Sequence, residues 1–160
     1  MSNPTIAQVR AALKARFEAI TDIGRVHDYE RYAKQEGAVR ALYVATIGTE
    51  EQLRGMHLRR VSTHESYQAL NRWHIHHHWQ ARLFMAFNDA DKSEHTFDTL
   101  IETIRDSFRA NPEIIGDLRK CDLLMNEDDG GVQVIESQPV LFAGVLCHSA
   151  RLAFTTRQLE

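Results

Sequence analysis

Cysteine is scarce in this chain: only Cys121 and Cys147 occur in 160 residues, far apart and outside any C-x-x-C spacing. That argues against a disulfide framework or a thiolate zinc site and makes a reducing cytoplasm the expected setting. Long apolar runs are missing too, since none approaches the roughly 20 residues needed to cross a bilayer. Arg10, Lys14, Arg16 and Glu18 interrupt the apolar positions near the start, so no signal-peptide core is expected and the chain reads as soluble. Neither charge sign dominates: 19 basic and 22 acidic residues are interspersed, for a net charge of −3. That balance offers no electrostatic footprint for wrapping duplex DNA. The short basic cluster of Arg54, Arg59 and Arg60 reads as a solvated strand face.

Common catalytic signatures are absent as well. There is no G-x-S-x-G elbow, no Walker A loop and no G-x-G-x-x-G, and the "DDGG" at 128–131 lacks the ligand spacing of an EF-hand. Glu127, Asp128 and Asp129 read as a solvated turn. No repeat, low-complexity tract or linker divides the chain, so one domain over 1–160 is expected. With 43% hydrophobic and 26% charged residues, a chain of this length buries about two-thirds of its unfolded surface without help from a metal.

What is present is periodicity. Ile6, Val9, Leu13, Phe17 and Ile20 form a stripe at helical spacing, with Asn3 or Thr5 as N-cap and Pro4 suited to a first turn. Gly24 then offers a turn, and a polar stretch connects to two expected strands at 38–47 and 53–63, joined through "GTEEQ" as a hairpin. After a strand at 71–87 and the cap-rich turn "NDADKS", the residues Phe97, Leu100, Ile101, Ile104 and Phe108 define a second amphipathic helix, closed by Asn111-Pro112. Strands follow around the turn "NEDDGG". Val140, Phe142, Gly144, Leu146, His148, Ala150, Leu152 and Phe154 are expected to share one strand face. The expected fold class is α+β: a mainly antiparallel β-sheet with two amphipathic helices packed on one face.

The stretch "WHIHHHW" at 73–79 packs four of nine histidines between the only two tryptophans. Strand parity puts Trp73, Ile75, His77 and Trp79 on the core side and His74, His76 and His78 on the other. Imidazoles at i and i+2 have Cα atoms roughly 7 Å apart and point the same way, so two can approach one ion. A zinc site needs a third or fourth ligand from a neighbouring strand, and the sequence supplies no H-E-x-x-H, no second cluster and no cupin-like set. The expectation is therefore no catalytic residue, no cofactor and no metal. A metal-binding domain or metal-dependent hydrolase using His74, His76 and His78 stands as the alternative.

A first helix ending in "DIGRVHDY", a strand with tryptophans and "LFMAFND", a helix opening "SEHTFDTLIETIRDSF" and a closing "VLFAGVLCHSARLAFTTR" follow one another along the chain. Together they resemble the tail terminator proteins of long-tailed bacteriophages and prophages, the minor tail protein U-like group, over nearly the whole length. The resemblance implies a small α+β structural protein without catalytic residues. It implies a homo-oligomeric ring, commonly a hexamer, that caps the tail tube, ends its polymerisation and presents a surface for joining the head. Implied partners are a second copy of the chain, the tail tube protein and a head-completion or neck protein, with no membrane and no specific nucleic acid. Implied locations are the cytoplasm of the bacterial host during assembly and the virion tail. Related tail-completion and neck proteins, and a plain interaction domain, are the neighbouring readings. Loops 33–37, 48–52 and 127–131 are the candidate contact regions. In a ring the stripe His74, His76, His78, Gln80 and Arg82 would lie on an interface or line the channel, making assembly sensitive to pH near about 6.5. Particle sizes measured at about pH 5.5 and about pH 8 check this, and identical oligomers at both would remove it.

Overall fold

Thr5 starts the first helix, α1 (Ile6–Glu18), through a reciprocal cap in the computed structural model, which describes residues 3–68, 72–116, 121–126, 128 and 130–159. Its hydroxyl accepts from the Gln8 backbone N–H at 3.3 Å, and the Gln8 side chain accepts from the Thr5 N–H at 2.8 Å. Thr5, rather than Asn3, is therefore the N-cap. Expectations that fall on 69–71, on 117–120, and on Glu127 and Asp129 of the acidic turn lie outside the described residues.

After α1, Asp22 (φ 61°) and Gly24 (φ 83°) turn the chain into β1 (Arg25–His27). A Cβ at Gly24 would stand 2.0 Å from the Arg54 carbonyl oxygen, so only glycine lets the turn lie this close to its neighbour. The chain continues through α2 (Glu36–Leu42), β2 (Val44–Ile47), β3 (Glu50–Gln68) and β4 (Arg72–Ala86). A 3-10 turn at Asp89–Asp91 leads into α3 (Ser93–Ala110), then β5 (Glu113–Ile115), β6 (Cys121–Leu123), β7 (Gln133–Phe142) and β8 (Val145–Leu159). The strands form one eight-stranded sheet in the order β1-β3-β4-β8-β6-β5, with β2 also on β3 and β7 also on β8.

The expected mainly antiparallel sheet under two helices is corrected in both parts. The sheet is mixed, because β1 runs parallel to β3, with Val26 opposite Met56. Three residues carry too little alternation for such a strand to be read from sequence. Among the described residues there are three α-helices, and α2 occupies part of the segment expected to be a strand at 38–47. Ala38, Arg40, Ala41 and Leu42 favour helix, whereas the β-branched run that suggested a strand belongs to β2 alone.

Strand parity separates two cores. Met56 and Leu58 of β3, Trp79, Ala81, Leu83 and Met85 of β4, and Ala150, Leu152 and Phe154 of β8 pack against the stripes of α1 and α3. Phe17 of α1 meets Phe108 of α3 at 5.1 Å between ring centroids and Phe154 at 6.0 Å, which joins both helices to the sheet. On the opposite face a smaller cluster gathers Tyr43, Leu53, Phe84 and Cys147, with Val39 and Leu42 of α2 against it. Hence α1 and α3 share one face and α2 covers part of the other.

The run expected as one strand face at 140–154 is a hairpin. Ala143 (φ 48°) and Gly144 (φ 75°) both adopt left-handed backbone and close a two-residue turn between Phe142 and Val145. Crossing that turn exchanges the faces: Val140 and Phe142 belong to the α2 side, whereas Ala150, Leu152 and Phe154 face α1 and α3. Arg40 of α2 clamps the turn by donating from Nε and Nη2 to the Ala143 carbonyl at 3.1 and 2.8 Å.

Leu13 is fully buried between helix and sheet, whereas Val39 is only partly buried. Leu13→Ala is expected to cost about 2–5 kcal/mol and Val39→Ala less. Urea unfolding midpoints at unchanged slope measure both.

Candidate functional site on the open sheet face

Beyond the cover of α2, the face opposite α1 and α3 is open, and β4 presents His74, His76, His78, Gln80 and Arg82 along it. The register places Ser62 opposite His78, His64 opposite His76 and Ser66 opposite His74 on β3. On β8, Thr155 stands opposite His78, Arg157 opposite His76 and Leu159 opposite His74. The three histidines singled out in the sequence are therefore brought together as expected, and a fourth, His64, joins them. Sequence reasoning missed His64 because a register shift between Arg60 and Ser62 changes which parity of β3 faces them.

Each imidazole has a different environment. His78 Nδ1 lies 2.9 Å from Thr155 Oγ1. The rings of His74 and His76 are 6.3 Å apart. Nε2 of His76 is buried without a hydrogen-bond partner in the protein. Burial holds the His76 pKa below its ordinary value, and the neighbouring His74, Arg157, His78 and His64 push the same way. His76 is therefore held toward its neutral form. Among the described residues, no group of three or more His, Cys, Asp or Glu is arranged to hold a metal ion. The side chains stand as a row on a pleated surface, whereas a metal needs them to converge on one point.

The other parity of the same strand is partly corrected. His77 is buried: its Nδ1 lies 2.8 Å from Thr63 Oγ1 and its Nε2 2.8 Å from Gln158 Oε1. Gln158 in turn donates to the Pro4 carbonyl at 2.8 Å, tying the strand to the entrance of α1. Trp79 is buried, its Nε1 donating to Thr156 Oγ1 at 2.9 Å. Trp73, expected in the core, is 42% exposed instead. The β3–β4 hairpin continues past the buried part of the sheet, and there Trp73 meets Tyr67 across the ladder, with ring centroids 5.2 Å apart.

That projecting hairpin has a free edge. β1 and β2 pair with β3 only over 50–57, so from Arg59 to Gln68 its outer edge has no partner strand among the described residues. Across the sheet, β7 pairs with β8 and, among the described residues, has no strand on its outer edge, which Pro139 interrupts. Exposed apolar side chains mark both places: Val61 and Tyr67 on β3, Ile135 and Leu141 on β7. Of the expected contact loops, 48–52 is the β2–β3 turn and the first residues of β3, while 33–37 runs into α2.

No protein-family model matches the chain, and no curated protein is significantly similar to it. What the fold defines is a class: an α+β domain built on a mixed sheet with one projecting hairpin. Among the described residues, no helix is long and apolar enough to cross a membrane.

His57, His77 and His148 are buried, and burial lowers each pKa from the ordinary 6.5. As pH falls through about 6.5 the unfolded chain binds protons before the folded chain does, so stability is full above that pH and declines below it. Thermal midpoints are expected to drop between about pH 7.5 and about pH 5.5, with a shallower drop in His148→Gln. Midpoints independent of pH in the wild-type chain would contradict this.

Proposed function

We propose that the chain is a structural assembly protein of a bacteriophage or prophage tail. Its subunits close head to tail into a ring on the end of the tail tube, which stops polymerisation and offers the head-joining surface. The observation that carries the reading is the pair of open strand edges at opposite sides of one sheet, Arg59 to Gln68 on β3 and Gln133 to Phe142 on β7. A ring requires two different complementary surfaces on each subunit, and free edges are surfaces that join by adding strand to strand. The two edges also differ in their side chains, as the two surfaces of a head-to-tail contact do: β3 carries Arg59, Arg60 and Glu65, and β7 carries Glu136 and Pro139. The tail tube protein and a head-completion or neck protein are the further partners of this reading. Its setting is the bacterial cytoplasm during assembly and then the virion tail.

Native mass spectrometry of the untagged chain, alone and with purified tail tubes, tests the proposal. A closed oligomer, or recruitment to tube ends, is expected. A chain that stays monomeric at about 100 μM and ignores tubes would sink the reading. Proline substitutions at neighbouring positions sharpen it, because successive N–H groups of a strand point to opposite sides. Of His64→Pro and Glu65→Pro, one is expected to lower monomer stability by breaking a bond to β4. The other should leave the circular dichroism of the monomer unchanged while abolishing the ring.

A further inference from the structure

A cavity of about 190 Å³ opens on the sheet face beside α2, lined by Glu30, Tyr43, His57, Arg82, Phe84 and Phe142 among others. Its size falls below the roughly 300–1,000 Å³ of sites for drug-sized molecules and suits a ligand of about one ring. The two ends differ in chemistry. One is aromatic: Phe84 and Phe142 stack at 3.9 Å between centroids and 16° between planes, and Tyr43 stands edge-on to both at 5.9 and 5.1 Å. Such a wall receives a planar apolar group.

The other end is charged, and its balance selects the ligand. Glu30 is the one carboxylate lining the cavity, and it already faces His57 Nε2 at 3.9 Å and Arg59 Nη1 at 3.8 Å. Against it stand three guanidinium groups: Arg59, Arg31 and Arg82. Arg31 lies 5.2 Å from the Tyr29 ring, and Arg82 lies 5.3 Å from the Phe84 ring with only a 3.4 Å contact from Nε to Ser149 Oγ. Among the described residues, neither Arg31 nor Arg82 has an ion pair. His57 adds no charge near neutrality, because burial lowers its pKa even against the opposing pull of Glu30. The Tyr43 phenol, pushed up to about 12 chiefly by burial, stays protonated and is satisfied by His57 Nδ1 at 3.1 Å. An aromatic wall beside an uncompensated guanidinium fork is the chemistry that recognises a carboxylate on a flat ring.

We infer that this cavity binds a small aromatic carboxylate, its ring against Phe84 and Phe142 and its carboxylate on Arg82.

Benzoate titrated into the full chain, followed by amide and histidine-ring NMR, tests the inference. Saturable shifts at His57, Phe84 and Phe142 are expected, with affinity at least about tenfold weaker for benzyl alcohol, the neutral analogue, and for Arg82→Met. Glu30→Gln is expected to tighten benzoate, because it removes the one competing negative charge. Leu141→Trp, at an exposed residue of the cavity rim, should block binding without touching the core. If Arg82→Met does not fold, the Glu30 and Leu141 variants decide. No shift up to about 10 mM benzoate, equal affinity for benzyl alcohol, or no response to Glu30→Gln and Leu141→Trp would each overturn the proposal.

Discussion

The pairing of β4 with β3 on one side and β8 on the other is the constraint from which the other placements follow. Both ladders run almost the length of β4, from Arg72 to Met85 with β3 and from His74 to Ala86 with β8. Because side chains alternate strictly along a strand, a slip of one residue in either ladder would exchange Trp79, Leu83 and Met85 for Gln80, Arg82 and Phe84 beneath α1 and α3. The buried hydrogen bond from Trp79 to Thr156 and the chain from Thr63 through His77 to Gln158 and Pro4 hold the register at the far end of the core. An unpaired donor or acceptor there would cost about 1–3 kcal/mol, so these polar contacts specify one alignment where apolar packing alone would tolerate several.

Two unequal cores result from that alignment. The larger is sealed by α1 and α3, whose aromatic side chains interlock over β8 through Phe17, Phe108 and Phe154. The smaller is covered by a helix of only seven residues, fixed to the β7–β8 turn by Arg40. A cover that short leaves room beside it. The aromatic cavity and the histidine row are both consequences of one face being roofed over part of its length.

Free edges are hazardous in a monomer and useful in an assembly. Here the β3 edge carries a register irregularity and the charged Arg59, Arg60 and Glu65, and the β7 edge carries Pro139, devices that discourage indiscriminate pairing. Among the described residues, ion pairs tie acidic residues to arginines of the sheet at three places, Glu30 with Arg59, Glu136 with Arg151 and Asp122 with Arg157, and at two more along α3, Glu102 with Arg105 and Asp106 with Arg109. On the open face Arg82 has no such partner among the described residues.

Local periodicity alone determined α1, α3 and the two parities of β4, because each is a long amphipathic element whose pattern repeats several times. The stripes at Val9, Leu13 and Phe17, and at Phe97, Ile101, Ile104 and Phe108, point inward as the spacing requires. Thr5 was legible as a cap for the same local reason. Elsewhere only tertiary structure decided. β1 is too short to have a period, and the place where α2 packs, beside Tyr43 and Phe84, is set by the sheet face it partly covers. The alternation at 140–154 continues through a turn because both faces of that hairpin are partly buried, so hydrophobicity could not show that the faces exchange. Trp73 is exposed because the hairpin continues past the buried part of the sheet, a matter of relative lengths. His64 reaches the histidine row, and Glu30, His57 and Arg82 reach one cavity, through a strand register and a loop path. Those are set by contacts between residues distant in sequence, which no local pattern encodes.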